Sequence, residues 1–329
     1  MKIMKVLIFT EGGTRIGLGH VSRCSSLYDE LTDRGIETEF IINGSPNEVD
    51  LISSNIYFKD WLSKEFLINY IKETDYCIVD SYLADISLYK VISEKSKRCL
   101  FIDDNARIKY PKGIVVNPSL NTEGLDYYLN DDNNYLLGLD YIILRQPFIN
   151  LKREAINNGV KEVLVTMGGA DPNNLTPIIL NLLNNRFPNI TYNVVVSKAY
   201  KNLDKAKEMI NDNIVFYENA TAEEMKRLML KSDVAITAAG QTIYELLATQ
   251  TPFIPIIVAD NQKNNISGLM KLNLTETIID YRDKLFREIF ASEFIKLLDY
   301  KKRCEISCLY TNVVDGLGSK RIIDELLKK

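Results

Sequence analysis

Histidine occurs once in this 329-residue chain, as His20. It ends the glycine-rich turn Glu11-Gly12-Gly13-Thr14-Arg15-Ile16-Gly17-Leu18-Gly19-His20, which follows the apolar run 6–9. An imidazole titrates near neutral pH and is the usual proton acceptor in catalysis. Because an α/β fold binds its ligand just after such strands, His20 is a candidate general base. The alternative is a histidine that only packs or caps at a helix start.

The glycine turn does not match a nucleotide-binding fingerprint in full. Gly17-Leu18-Gly19-His20-Val21-Ser22 begins like a dinucleotide-binding motif, but Ser22 replaces its third glycine, and no glycine loop continues as a P-loop. Glycines still allow a ligand to approach the backbone, and free N–H groups at a helix start favour an anion or polar oxygen. Gly17 and Gly19 are therefore candidate binding residues, although such turns also serve tight strand-to-helix packing.

Two turns of the same kind occur in the second half, at 166–174 and 237–245. Small side chains there expose backbone N–H groups to a pyrophosphate. Glu245 lies about one turn into the following helix, within reach of a ribose hydroxyl, or is a packing glutamate. Asn261-Gln262 opens the next helix, where it can equally be an N-cap. The candidate nucleotide-binding residues are Gly168, Gly169, Ala239, Gly240, Gln241, Glu245, Asn261 and Gln262.

Polar clusters end three strands of the first half. They are Asp80-Ser81-Tyr82, Asp103-Asp104-Asn105 and Asn117-Pro118-Ser119. Carboxylates at strand ends can position a sugar or tune His20, but Asp and Asn are also the usual residues of turns. Both interpretations stay open from the sequence, with Asp104 as a candidate binding residue.

Composition narrows the class of protein. With 46% hydrophobic and 26% charged residues and a net charge of −4, neither nucleic acid nor an anionic membrane is indicated as a partner. No apolar run reaches about 18 residues, so we predict neither a signal peptide nor a transmembrane helix. A cytoplasmic location is the expectation that follows. Five cysteines without a CxxC pair predict neither a disulfide scaffold nor a metal site.

Short apolar strands alternate with amphipathic segments throughout, which predicts parallel sheets covered on both faces. The polar segment 150–159 separates two such alternations, so we expect domains at 1–150 and 160–329. Two doubly wound, Rossmann-like α/β domains place their ligands at the carboxyl ends of their strands, facing a shared cleft. This is the GT-B architecture of two-domain nucleotide-sugar enzymes. Strands are predicted at 6–10, 37–42, 76–80, 99–103, 114–117, 162–167, 192–196, 214–217, 234–237, 253–258 and 277–279.

The motifs together resemble the UDP-2,4-diacetamido-2,4,6-trideoxy-β-L-altropyranose hydrolases of pseudaminic acid biosynthesis. The resemblance covers nearly the whole chain, in the same order. The glycine turn also looks like that of the N-acetylglucosaminyl transferase that completes lipid II. The matching motifs are Gly17-Leu18-Gly19-His20-Val21-Ser22-Arg23, Val79-Asp80-Ser81-Tyr82, Asp103-Asp104, Met167-Gly168-Gly169-Ala170-Asp171, Thr237-Ala238-Ala239-Gly240 and Asp315-Gly316-Leu317-Gly318-Ser319-Lys320-Arg321.

The resemblance implies metal-independent hydrolysis of a UDP-sugar, without a cofactor and with inversion at the anomeric carbon. The resemblance also implies that His20 activates the attacking water, that Tyr82 helps to hold the reacting sugar, and that the second half binds UDP. The sequence departs from the family pattern at two places, which leaves the exact sugar open. Ser81 stands where a histidine is often seen, and the run Ala239-Gly240-Gln241 varies the usual small residues. An acid limb near pH ~6.5 in kcat/KM is expected.

Two other functions remain open. A GT-B glycosyltransferase would use the same donor and pass the sugar to an acceptor hydroxyl. The first half shows no evident cluster of basic and apolar residues beyond Arg15, Arg23 and Arg34, which favours the hydrolase. A protein that binds nucleotide-sugars without turnover is the third class.

Overall fold

The computed structural model describes residues 4–13, 16–46, 55–127, 132–168, 171–197, 200–209 and 212–328. The chain divides into two compact units. The first comprises 1–146 together with 316–329, and the second comprises 147–315. The sequence assigned the whole of 160–329 to the second domain, whereas the structure places the last segment with the first unit.

The first unit is built on a parallel sheet of seven strands in the order β3-β2-β1-β4-β5-β6-β7. The strand order reverses between β1 and β4, and ligands of doubly wound folds bind at such a reversal. The strands are β1 (Lys5–Glu11), β2 (Glu37–Asn43), β3 (Ile56–Phe58), β4 (Tyr76–Asp80), β5 (Arg98–Ile102), β6 (Ile114–Asn117) and β7 (Asn134–Leu137).

Helices cover both faces of this sheet because successive strand side chains point to opposite sides. The helices that precede the second unit are α1 (Gly19–Asp33), α2 (Lys64–Tyr70) and α3 (Ile86–Lys95). Ile8 of β1 is buried in one cluster with Leu27 of α1. Phe9, the next residue, is buried in a second cluster with Leu67 of α2 and Leu88 of α3.

The second unit repeats the plan with five parallel strands in the order β10-β9-β8-β11-β12. Its strands are β8 (Glu162–Thr166), β9 (Thr191–Val196), β10 (Ile214–Glu218), β11 (Val234–Ala238) and β12 (Phe253–Ile256). Its helices are α4 (Leu175–Asn184), α5 (Leu203–Lys207), α6 (Ala222–Lys231), α7 (Thr242–Ala248), α8 (Lys263–Lys271), α9 (Phe286–Lys296) and α10 (Tyr300–Leu309).

The predicted α/β class, with two doubly wound sheets, is confirmed. The predicted strand at 277–279 is wrong: this part of the chain makes only an isolated bridge between Asp280 and Ile257. Strands β3 and β7 escaped the sequence analysis because three or four residues are too few to show an alternation. Helix α9 was missed although Phe286, Phe290 and Phe294 recur every four residues on its buried side.

The last helix, α11 (Gly318–Leu327), returns to the first sheet. Its side chains Ile322, Ile323 and Leu326 are buried in the same cluster as Ile8 and Leu27. An apolar stripe at helical spacing predicts a buried face, but it does not say which sheet that face meets.

The described residues contain no helix with both the length and the apolarity needed to span a bilayer.

Gly318 offers a test of how α11 docks. A Cβ at this position would overlap the backbone of Tyr141 and Ile142, including the Ile142 carbonyl oxygen. Because backbone cannot yield as a side chain does, we expect Gly318→Ala to destabilise the first unit by about 3 kcal/mol. The measurement is urea unfolding followed by Trp61 fluorescence, since this tryptophan is buried in the first unit.

Gly19→Ala is the matched control, because Gly19 is the first residue of α1 in the same unit, as Gly318 is of α11. Among the described residues no atom lies within 4 Å of its Cβ position, so we expect a change below about 1 kcal/mol. Equal unfolding midpoints for the two variants would contradict the close docking of α11.

Candidate active site

The glycine turn fixes where α1 begins. Gly17 has φ +85°, a conformation that favours glycine, and it exchanges two backbone hydrogen bonds with Gly13, of 3.1 and 2.7 Å. The chain therefore enters α1 at Gly19, with His20 as its second residue. Residues three apart share a helix face, so Arg23 lies beside His20.

Asp80, the last residue of β4, receives both side chains. His20 Nδ1 lies 2.7 Å from Asp80 Oδ1. Arg23 donates from Nε to Asp80 Oδ2 at 2.5 Å and from Nη2 to Asp80 Oδ1 at 2.7 Å. The Asp80 residue has no solvent exposure. Its carboxylate is thus bound by a two-pronged guanidinium and by the only imidazole of the chain.

Asp104 and Tyr82 complete the arrangement. Arg23 Nη1 donates to Asp104 Oδ1 at 2.6 Å, and the Tyr82 hydroxyl donates to Asp104 Oδ2 at 2.7 Å. The Tyr82 ring meets the His20 ring edge to face, with 4.5 Å between centroids. These five residues, named here the histidine cluster, are His20, Arg23, Asp80, Tyr82 and Asp104.

The charges of the histidine cluster balance only when His20 is protonated. Burial lowers the pKa of His20, but the charge and the hydrogen bond of Asp80 outweigh burial and raise this pKa above 6.5. Burial raises the pKa of Asp80, yet Arg23 and His20 hold it well below its usual range. Burial and Asp104 raise the pKa of Tyr82, so its hydroxyl stays a donor at neutral pH.

This arrangement prepares His20 to accept a proton. An ionised Asp80 only accepts hydrogen bonds, so the proton of neutral His20 lies on Nδ1 and the Nε2 lone pair is the basic one. In the described part of the chain, the polar contacts of the ring all involve Nδ1. A proton gained at Nε2 brings the cluster to neutrality. The acid limb of kcat/KM, which the sequence analysis expects near pH 6.5, should therefore lie at a higher pH.

The other strand-end residues of the first unit serve turns. Asp103 Oδ1 accepts from the backbone N–H groups of Asn105 and Arg107 at 3.3 and 3.4 Å. Asn117 donates to the Tyr127 hydroxyl at 2.8 Å. Of the residues at the three strand ends, the structure therefore brings Asp80, Tyr82 and Asp104 to His20.

In the second unit, the turn from β11 to α7 uses part of its backbone internally. The N–H groups of Ala239 and Gly240 donate to Ile256 and Ala238 carbonyl oxygens, both at 2.8 Å. Within the described residues, the N–H groups of Gln241 and Thr242 make no hydrogen bond, and α7 has no side-chain cap. Of the three residues of this turn that the sequence named, Ala239 and Gly240 thus use their N–H groups within the turn, and Gln241 has its N–H available.

The turn from β8 to α4 is completed differently. Gly168 has φ +78°, and Gly169 lies outside the described residues. Asp171 is buried and accepts from the N–H groups of Leu175 and Thr176 at 2.9 and 2.8 Å. A carboxylate already at this helix start disfavours a second anion there.

The remaining candidates lie around the β11–α7 turn. Glu245 is buried in α7, with 7% exposure, and Asn261 is exposed. Gln262 accepts from the Val258 N–H at 2.9 Å. Asn265 donates to the Ala239 carbonyl at 2.8 Å and ties α8 to the turn, a role that the sequence analysis did not assign.

Arg23 and Asp80 both occur in the sequence motifs, but the motifs assign no role to Arg23 and leave that of Asp80 open. The signal for Arg23 was its spacing of three from His20 on one helix. Glu11 was named only as the start of the turn, although a charged residue that ends an apolar strand is itself a signal.

Comparisons with curated proteins give named relatives. A Helicobacter pylori protein named pseudaminic acid cytidylyltransferase and UDP-2,4-diacetamido-2,4,6-trideoxy-β-L-altropyranose hydrolase is 30% identical over 79% of this chain and 46% of its own length. A Campylobacter jejuni protein named UDP-2,4-diacetamido-2,4,6-trideoxy-β-L-altropyranose hydrolase is 26% identical over 82% of this chain and 97% of its own length. The chain is therefore similar in sequence to both of these proteins. The resemblance predicted from its motifs is thereby confirmed.

The chain also matches an uncharacterized Methanocaldococcus jannaschii protein, at 29% identity over 82% of the chain and 58% of the relative. The chain thus spans about half the length of the Methanocaldococcus and Helicobacter relatives. No family model matches it.

Solved structures show that the chain has the GT-B fold. Acinetobacter baumannii MurG superposes with a TM-score of 0.66 and 13% identity, covering 99% of this chain and 100% of MurG. UDP-GlcNAc 2-epimerase from Neisseria meningitidis, bound to UDP-GlcNAc, superposes with a TM-score of 0.64 and 13% identity, covering 99% and 100%. At these identities the likeness concerns the fold alone.

Because the chain has a single histidine, the titration of His20 is directly measurable. In protein with ¹⁵N-labelled histidine and a histidine-free purification tag, we expect the NMR titration of His20 to give a pKa above 6.5. Asp80→Asn should lower this pKa, because the attraction of Asp80 is lost while burial and the Arg23 charge still disfavour the imidazolium.

Asp33→Asn removes an exposed carboxylate from the same helix and should leave the titration unchanged. If Asp80→Asn left the pKa of His20 where it was, the ion pair described above would be wrong.

Proposed function

We propose that the chain hydrolyses a UDP-sugar to UDP and free sugar, with His20 as the general base. The observation that carries this proposal is the buried His20–Asp80 pair, which orients the imidazole and leaves Nε2 as its basic atom. Homology to proteins named as UDP-sugar hydrolases supports the reaction class.

The proposed step moves one proton and exchanges one bond. A water molecule gives a proton to His20 Nε2 while its oxygen bonds to the anomeric carbon. The bond between that carbon and the oxygen of the diphosphate breaks, and UDP departs with the electron pair. Attack opposite the leaving group inverts the anomeric configuration. Asp80 stabilises the imidazolium that forms, as the buried aspartate does in serine protease triads.

Tyr82 and Asp104 support the sugar side of this step. The Tyr82 hydroxyl donates to Asp104, so its oxygen remains available to accept from a sugar hydroxyl or amide. The ring of Tyr82 bounds the face of His20 and limits rotation of the imidazole. In this proposal Gly17 and Gly19 keep side chains away from the reacting centre.

The second unit binds UDP in this proposal. The N–H groups of Gln241 and Thr242 donate to the diphosphate at the start of α7, where the helix dipole favours negative charge. Glu245 binds ribose hydroxyls. Asn261 and Gln262 border the same turn, and Gly168 and Gly169 are proposed to contact UDP as the resemblance implies.

The substrate class follows from the relatives. We propose UDP-2,4-diacetamido-2,4,6-trideoxy-β-L-altropyranose, the sugar nucleotide in their names, and thus a step toward pseudaminic acid or a related nonulosonate. The proposed step assigns no role to a metal ion or cofactor. The described residues include no group of three or more His, Cys, Asp or Glu side chains able to hold a metal ion.

The alternative is a glycosyltransferase that uses the same donor, since MurG shares the fold. The orientation of His20 by Asp80 serves a sugar hydroxyl as well as a water molecule, so the two functions differ only in the acceptor.

Hydrolysis is tested by following the proposed substrate alone, without an acceptor, by ³¹P NMR. Wild type should release UDP, and in H₂¹⁸O the label should enter the sugar rather than the diphosphate. His20→Asn should lower kcat by about 10²- to 10⁴-fold, the range for loss of a general base. Asp33→Asn on the same helix should keep full activity. Release that requires an added acceptor would favour the transferase, and label in UDP would contradict attack at carbon.

Nucleotide binding is tested separately by calorimetry with UDP. We expect Glu245→Gln to raise the Kd of UDP about tenfold, equivalent to ~1.4 kcal/mol, because a neutral amide is a weaker acceptor for ribose hydroxyls. The control is Glu223→Gln in α6, whose side chain is 65% exposed. An unchanged Kd for Glu245→Gln would exclude the ribose role.

A further inference from the structure

The turn that carries Tyr82 is bound by a buried carboxylate. Glu11, the last residue of β1, has no solvent exposure. Its carboxylate accepts from the Ser81 hydroxyl, from the Tyr82 N–H at 2.6 Å and from the Leu83 N–H at 3.2 Å. Three donors of one four-residue turn, 81–84, therefore converge on one side chain.

A guanidinium holds the same turn through its carbonyl groups. Arg107 Nη2 donates to the Ser81 and Ala84 carbonyl oxygens, both at 3.1 Å, and to the Tyr89 hydroxyl at 3.3 Å. Glu11 thus accepts from the N–H groups of Tyr82 and Leu83, and Arg107 donates to the carbonyl groups of Ser81 and Ala84. The turn is fixed by two charged residues, one at the end of β1 and one in the loop after β5.

This turn determines two contacts of Tyr82. The hydroxyl reaches Asp104 Oδ2 at 2.7 Å, and the ring lies edge to face with His20. Both contacts start from a backbone that Glu11 holds at the Tyr82 N–H itself. The position of β1 beside β4 brings Glu11 there, because Thr10 pairs with Asp80 in the parallel register.

We propose that Glu11 is a positioning residue for the reaction: its carboxylate holds the 81–84 turn so that Tyr82 confines the His20 ring. The inference rests on the proposed function for its kinetic consequence, but the placement of Tyr82 against His20 is testable without any substrate. Glutamine cannot replace the carboxylate, because its NH₂ group would face an N–H or O–H donor of the turn.

The substrate-free test uses the one histidine. Tyr82→Leu removes the aromatic ring and should displace the His20 ring-proton resonances, which feel the ring current of Tyr82. We expect Glu11→Gln to displace them in the same direction, since the turn loses an acceptor. Glu39→Gln is the control, because Glu39 on the adjacent strand β2 also receives two side-chain donors, from Lys5 and Tyr70. His20 resonances that coincide in Glu11→Gln and wild type would overturn the proposal.

The kinetic test is a double-mutant cycle on kcat with UDP-2,4-diacetamido-2,4,6-trideoxy-β-L-altropyranose. We expect Glu11→Gln to lower kcat by about 10- to 100-fold, the scale of a small misplacement in a site, with the Kd of UDP unchanged. In a Tyr82→Leu background the same change should cost little more. Fully additive losses would show that Glu11 acts independently of Tyr82 and would contradict the proposal.

Glu11→Asp keeps the charge and shortens the side chain by one methylene. It should give an intermediate displacement of the His20 resonances and keeps the test decisive if Glu11→Gln fails to fold. If the wild-type protein releases no UDP, only the proposed function is refuted, because the NMR comparison of the Glu11 variants needs no turnover.

Discussion

A carboxylate removed from water costs several kcal/mol unless cations and hydrogen-bond donors surround it, and Asp80 is such a carboxylate. Arg23 satisfies it with two donors and His20 with a third. Arg23 is itself buried and takes Asp104 as a second counterion. Each buried charge in the cluster therefore needs a neighbouring group as its counterion. This need, rather than packing alone, sets the direction of the imidazole.

The sheet topology makes this arrangement available. The strand order reverses between β1 and β4, so the ends of these strands and the start of α1 meet at one edge. Asp80 ends β4, and His20 and Arg23 share a face in the first turn of α1. Glu11 ends β1 and faces the turn that follows β4. His20 and the residues that hold it thus come from the start of α1 and from the ends of neighbouring strands.

In the second unit, two similar turns differ in which backbone N–H groups are already hydrogen-bonded at the start of the following helix. Both begin with glycine or small residues between a strand and a helix. Asp171 satisfies the N–H groups at the start of α4 with its own carboxylate. Within the described part of the chain, the start of α7 has no side-chain cap, and the N–H groups of Gln241 and Thr242 make no hydrogen bond. The difference lies in one side chain, so glycine content alone does not identify an anion site.

The sequence by itself determined the alternation of strands and helices, the start of α1 and the choice of His20, because periodicity and glycine turns are local properties. It did not reveal which strand end would supply the partner of His20, since Asp80 is 60 residues away and Asp104 is 81 from Arg23. It also did not reveal that Leu326 packs with Ile8. Strand order and charge compensation decided these pairings, and both exist only once distant segments share one sheet.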